Sequence, residues 1–439
     1  MKNILLAFCC LFGVFAQSQR TISGMFSPAD DYSWIIAYRL TPGSQVYVAD
    51  TKIKKGEFIL EMPNNAIPGT YRLVYAVPQD QFYIDVLYSG NEDIEFNFKS
   101  GKEVAFITSV ENILFSTYFN EIMNFEKEIV AYFSSNNKNT KEFLNLNNLL
   151  IKTQKTYESK AQGKLVNNFI KANHPYIANT YLTPEQYVQA KKENYFKYLD
   201  LNNSTLKSSD FLKNKMVNYV FTALPLKTLS EHETEKEYQL NIDTVAHEIE
   251  NLEDDYQFTL FHAIWQYATS LKLSNSQDYI LSKYLRFKAK SEENIKVLKQ
   301  IEAENRLKIG VIAPEIEWQI KGKPKSLSNL EDATNYIIVF WSSTCSHCLH
   351  ELPALHKELK KFPEIKVIAI GLEDDEISWK LESEKLNDFE HTIALGKWDS
   401  KYAELYDIHQ TPTYYVLDQQ KKIVLKPESN KELIKFLNR

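Results

Sequence analysis

The feature that most constrains this chain is a β-branched apolar run, Tyr336-Ile337-Ile338-Val339-Phe340, that ends in Trp341-Ser342-Ser343-Thr344-Cys345-Ser346-His347-Cys348. After the second cysteine, Leu349, Leu352, Leu355, Leu359 and Phe362 recur at helical spacing. A strand is therefore expected to deliver two cysteines, two residues apart, onto the first turn of a helix, which is the arrangement of a thiol–disulfide site. That placement sets the sulfur of Cys345 near free backbone N–H groups, where a thiolate is stabilised and its pKa falls. A protonated His347 lowers it further.

The chain of 439 residues has four cysteines. Cys9 and Cys10 fall in an N-terminal apolar segment that reads as a secretory signal over residues 1–16: Lys2 as the basic start, residues 4–16 as an apolar core too short to span a bilayer, and cleavage before Gln17. Once it is removed, only Cys345 and Cys348 remain, and they can pair only with each other. In an oxidising compartment such a pair either cycles or stays oxidised. The expected location is the periplasm or cell envelope. A formal net charge of −6 argues against nucleic acid and against an anionic membrane surface as partners.

At this length two or three domains are expected. Residues 20–112 read as an antiparallel β-sandwich, with strands over 34–40, 45–52, 57–62, 70–77 and 94–98. Over 113–308 glycine nearly vanishes, and the pattern is all-α. Thr183-Pro184-Glu185-Gln186 is a helix start, and Phe258, Phe261, Ile264, Trp265, Ala268 and Leu271 trace one helical face. The histidines of this region (His174, His232, His247, His262) lack the spacing of a metal pair. Residues 309–439 alternate strand and helix and close on a hairpin, an α/β fold of thioredoxin type.

Residues 309–439 resemble the TlpA/ResA-like branch of the thioredoxin superfamily, secreted thiol–disulfide oxidoreductases. The resemblance rests on the CxxC after Phe340-Trp341, on Pro353 five residues past Cys348, on Thr411-Pro412 as the cis-proline loop, on an extra βα unit over about 371–395, and on Glu351 three residues after Cys348. The regions in front are similar to the N-terminal extensions of secreted bacterial members. Three positions depart from the pattern: Val339 stands where cytosolic thioredoxins bury an Asp, Thr344 replaces the usual Trp, and Ser346-His347 forms the inner dipeptide.

The resemblance implies thiol–disulfide exchange, with Cys345 as nucleophile, Cys348 as resolving thiol, Glu351 as its proton acceptor and His347 tuning the potential within about −120 to −270 mV. Thr411, Pro412 and Trp341 are expected on the side of the substrate. It implies no cofactor beyond the Cys345–Cys348 disulfide, protein thiols and disulfides as partners, and a membrane electron donor for a reductase; an oxidase or isomerase is the variant that His347 supports. Two other classes remain: a Cu(I) or Zn(II) site from Cys345, His347, Cys348 and His350, and a binding module on a thioredoxin fold. Covalent haem is excluded because Leu349 follows Cys348, and no Pro-x-x-x-Thr-x-x-Cys motif of a peroxidase precedes Cys345.

Overall fold

A strand buried on both faces reads as a continuous apolar run, and the segment before the cysteines is such a strand. The computed structural model describes residues 20–438 apart from 136 and 321, so the segment expected to be a secretory signal, with Cys9 and Cys10, lies outside the described residues. The chain divides into two compact units, one ending at Lys290 and one beginning at Ser291.

The first unit opens with eight strands: β1 (Thr21–Ser27), β2 (Trp34–Thr41), β3 (Ser44–Lys52), β4 (Glu57–Glu61), β5 (Gly69–Val74), β6 (Tyr83–Tyr88), β7 (Ile94–Lys99) and β8 (Ala105–Phe106). They form two four-stranded sheets, ordered β4-β1-β7-β8 and β3-β2-β5-β6. Inward residues of both, among them Phe26, Phe58 and Phe96 from one and Tyr71, Leu73 and Val86 from the other, share one apolar cluster. The pairing is not wholly antiparallel as expected, because β1 and β7 run parallel.

Helices follow from Val110–Ser134 to the end of the unit, and they are fastened to the sheets by buried and half-buried polar groups. The Asn112 amide both accepts from the Leu87 N–H (2.8 Å) and donates to its carbonyl (2.9 Å). Arg72 of β5 donates to Asp85 of β6 and to Asp210, the residue before the helix Phe211–Thr222. Residues 20–290 therefore make one unit rather than separating at 112. The helix Glu292–Arg306, expected within the helical region, groups instead with the second unit. Arg306 Nε donates to the Leu405 carbonyl at 2.9 Å, and Leu307 enters that unit's core.

The second unit holds a two-stranded ribbon, β9 (Glu317–Ile320) with β10 (Lys323–Ser326), and a five-stranded sheet. The sheet comprises β11 (Asn335–Trp341), β12 (Ile365–Glu373), β13 (Glu390–Leu395), β14 (Thr413–Leu417) and β15 (Ile423–Leu425), in the order β13-β12-β11-β14-β15. β12 is parallel to β11 and β13, while β14 runs antiparallel to both of its neighbours, β11 and β15. This is the thioredoxin-like arrangement. Side chains alternate across a strand, so Tyr336, Ile338 and Phe340 enter one core layer and Ile337, Val339 and Trp341 the other. Cys348, Leu352, Leu355 and Leu359 of the helix Ser346–Leu359 bury their side chains in the second layer.

Candidate active site

Parallel strands end together, and their C-terminal ends collect loops on one side of the sheet. β11 leaves the sheet after Trp341, turns through Ser342-Ser343-Thr344, and places Cys345 as the N-cap of the helix Ser346–Leu359. As N-cap, Cys345 Sγ accepts the backbone N–H of Cys348 at 3.3 Å. Its thiol also lies 3.6 Å from the carbonyl of Thr411, which is joined to Pro412 by a cis peptide bond. The CxxC turn and the cis-proline loop are thus brought together across the β11–β14 pair.

The two thiols, both free, sit in opposite surroundings. Cys345 is partly exposed; burial pushes its pKa up, but hydrogen bonds from Cys348, from Thr411 and from the backbone N–H groups of residues 348 and 347 outweigh it, and the net shift is down. Cys348 is fully buried, and burial, reinforced by its hydrogen bond with Cys345, pushes its thiol up to about 12. An accessible, acidic sulfur thus faces a buried, protonated one three residues away.

Glu351 lies one turn further along the helix. One carboxylate oxygen is 3.0 Å from His347 Nε2, and the other accepts from the Tyr414 hydroxyl at 3.4 Å. His347 itself is largely exposed. Tyr414 is buried between this carboxylate and the thiols, and burial first, then the charge of Glu351, holds its hydroxyl protonated far above the ordinary tyrosine range. Val339, at the position of the missing Asp, is fully buried among apolar side chains and carries no proton.

Trp341 corrects the expectation of a substrate contact. It is 1 % exposed and packs with Cys348 and Leu352 beneath the site, because its odd position in β11 points it into the core layer. Two residues escaped the sequence reading. Tyr414 follows the cis-proline loop directly, a position that could have marked it. Glu373, 2 % exposed, ends β12 and accepts the N–H of Ser343 at 2.5 Å and the Ser342 hydroxyl at 3.3 Å. Its signal was its place as the first of four consecutive acids, directly against the end of the largely apolar run 365–372.

The metal reading finds no support in this geometry. Among the described residues no group of three or more His, Cys, Asp or Glu is arranged to hold an ion. His347 is turned to Glu351 rather than to the sulfurs. No helix among the described residues is long and apolar enough to cross a membrane.

The AhpC/TSA family model matches residues 309–426. The thiol-disulfide oxidoreductase ResA of a Bacillus cereus strain is 27% identical over 124 residues, 28% of this chain and 70% of that protein. ResA of Bacillus thuringiensis subsp. konkukian is 26% identical over 133 residues, 29% of this chain and 76% of that protein. Among solved structures, a domain of a possible thiol-disulfide isomerase from Cytophaga hutchinsonii is 30% identical, covers 30% of this chain and 92% of its own, and gives a TM-score of 0.27. The thioredoxin domain of a Bacteroides vulgatus thiol-disulfide oxidoreductase is 27% identical over 30% of this chain and 96% of its own, with a TM-score of 0.27. The peroxidase positions within the matched segment hold Ile338 and Ser342 in place of Pro and Thr.

Proposed function

We propose, from the membership of the C-terminal domain in the TlpA/ResA-like branch of the thioredoxin superfamily of thiol–disulfide oxidoreductases, that this chain reduces disulfides of exported proteins through Cys345 and Cys348. The observation that carries the reading is the opposed acidity of the two thiols: a partly exposed Cys345, capping the helix and with its pKa lowered, beside a buried Cys348 whose pKa is raised.

In this reaction the Cys345 thiolate attacks one sulfur of a partner disulfide. A Cys345–partner bond forms, the partner's own bond breaks, and its second sulfur leaves as a thiolate that takes a proton from solvent. Cys348 then loses its proton and attacks Cys345 Sγ. The Cys345–Cys348 bond forms and the second partner thiol is released, so two electrons have passed to the partner. Glu351 accepts the Cys348 proton, and the Tyr414 hydroxyl on its other oxygen supports it as the relay. Thr411 and Pro412 border Cys345 and offer backbone groups to an extended partner chain.

Residues 1–16 act as an export signal in this reading, the site lies in the periplasm or envelope, and a membrane donor restores the dithiol. The two N-terminal sheets, taken as a sandwich, and the helices behind them carry partner or spacer roles. The test is the Cys345–Cys348 potential, obtained by equilibrating the protein with glutathione and thioredoxin couples and trapping thiols. A value near −270 mV supports the reductase, and one near about −120 mV moves the assignment to oxidase or isomerase. A pair that never cycles refutes exchange altogether and leaves a binding module.

A further inference from the structure

A carboxylate taken out of water must be held by several donors, and where those donors lie tells what the carboxylate organises. Glu373 is such a group. It stands at the C-terminal end of β12, on the face that carries Val367 and Ala369 toward the CxxC helix, and it is 2 % exposed. Lys397, whose charge interacts with it, gives its ammonium to Asp374 at 2.6 Å. The donors that meet the Glu373 carboxylate come instead from the turn before Cys345.

Those bonds form a short chain to the nucleophile. One Glu373 oxygen accepts the Ser343 N–H and the other the Ser342 hydroxyl. Ser342 Oγ accepts the N–H of Thr344 at 3.3 Å and is 3.0 Å from its hydroxyl. The Ser342 carbonyl accepts the N–H of Cys345 at 3.2 Å. Without the carboxylate, the Ser343 N–H is a buried donor with no acceptor, a state proteins avoid. The turn would then move to reach water, and Cys345 would move with it.

We propose that Glu373 is a positioning residue for the exchange reaction: its buried carboxylate fixes the Ser342–Ser343 turn and so holds Cys345 at the helix N-terminus, where its thiolate is stabilised. The inference rests on the reading of Cys345 as nucleophile. The role is geometric rather than electrostatic, since a negative charge beneath the site would by itself oppose a second one on sulfur.

That contrast makes the test decisive. The pH dependence of Cys345 alkylation is measured on the full-length reduced protein with Glu373→Ala, Glu373→Gln and Ser342→Ala, alongside thermal unfolding. Glu373→Ala is expected to move the alkylation midpoint upward and slow the reaction at pH 7 about tenfold, one unit of thiol pKa. Glu373→Gln keeps an acceptor for Ser343 and a partner for Ser342, and is expected to stay within about twofold of the parent. Ser342→Ala shifts the midpoint in the same direction by less, and it serves as the test if Glu373→Ala does not fold. An unchanged midpoint in Ser342→Ala and in folded Glu373→Ala overturns the proposal, whatever the loss of stability. So does a Gln variant displaced as far as Ala, or one displaced downward, which would assign the effect to charge. Alkylation reads the thiol alone, so a protein that never exchanges with disulfides would sink the exchange reading while leaving this one to its own result.

Discussion

Cys345→Ser leaves Cys348 as the sole thiol among the described residues, and its reactivity follows from where the fold puts it. With a thiol pKa of about 12, roughly one molecule in 10^5 carries the Cys348 thiolate at pH 7, against a few in 10^2 for an ordinary cysteine. The thiolate population is therefore about 10^3 lower. Part of this is recovered because a more basic thiolate is more nucleophilic, by roughly half of the pKa difference on a logarithmic scale. A net slowing of roughly 30- to 60-fold remains, and full burial of the sulfur adds to it. Removing Cys345 does not undo this, since burial is the largest cause of the shift. The assay is iodoacetamide alkylation of Cys345→Ser at pH 7, followed by intact mass, in buffer and in guanidinium. Cys348→Ser provides the converse, because its Cys345 keeps the backbone N–H groups and should react faster than a free thiol. If native Cys348 in Cys345→Ser reacts within tenfold of its unfolded rate, the opposed-acidity argument is wrong.

In the proposed exchange Glu351→Gln removes the proton acceptor while keeping the hydrogen-bonding shape; resolution of a trapped mixed disulfide at Cys345 should slow by about 10^2, with the first attack little changed. Equal rates of resolution would exclude Glu351 from the relay. Arg72→Met leaves the half-buried Asp85 without its cation and Asp210 with Lys213 alone, and should cost about 1.5–3 kcal/mol in denaturant unfolding of the first unit; a loss under about 1 kcal/mol would make the network ornamental. The reduced protein should lose stability in base. Cys348 is neutral in folded and unfolded chains below its ordinary pKa near 9, so its contribution is fully present there. It is lost as pH rises toward about 12, where the unfolded thiol has ionised and the folded one has not. Buried Tyr71 and Tyr415, both raised to about 12 by burial, act in the same direction. A chemical-denaturation midpoint that holds steady from pH 9 to 11 would contradict this.

The parts of the fold that the sequence made legible are those where one requirement dominates. β11 is buried on both faces, so it had to be a continuous apolar run, and its two ends were placed within a residue. The capping pair at Thr183 and Gln186 was readable because both reciprocal bonds depend on residue type at fixed spacing. What escaped depends on contacts distant in sequence. β1 looks too polar to lie between two strands, with Ser23 and Gly24 at its centre. Yet a Cβ at Gly24 would stand 2.2 Å from the Phe96 carbonyl oxygen, so the glycine is what admits β7. The helix Glu292–Arg306 carries no mark of the unit to which it belongs, because Arg306 finds its acceptor about a hundred residues later. In the site, Cys345, Cys348 and Glu351 were visible from local spacing, whereas Glu373 joins the Ser342–Ser343 turn only through the parallel register of β11 and β12.

The spacing of the two cysteines has a reason in helix capping. An N-cap side chain reaches the N–H of the third helical residue, and serines do so here at several helix starts: Ser109 to Asn112 at 3.4 Å, Ser230 to Glu233 at 3.3 Å, Ser429 to Glu432 at 3.4 Å. Cys345 makes the same bond to Cys348 at 3.3 Å. A sulfur is larger than an oxygen, so the same separation is a closer approach for it. A neutral thiol is a weak acceptor, and a thiolate beside a helix N-terminus is a strong one. Two residues between the cysteines therefore do two things at once: they let the helix cap itself with the Cys345 sulfur, and they make the residue whose N–H is capped the buried thiol, the one that displaces the partner in the proposed exchange. A spacing of one or three would keep a pair able to form a disulfide but would part the cap from the resolving cysteine. The acidity of Cys345 would then no longer be tied to the position of Cys348.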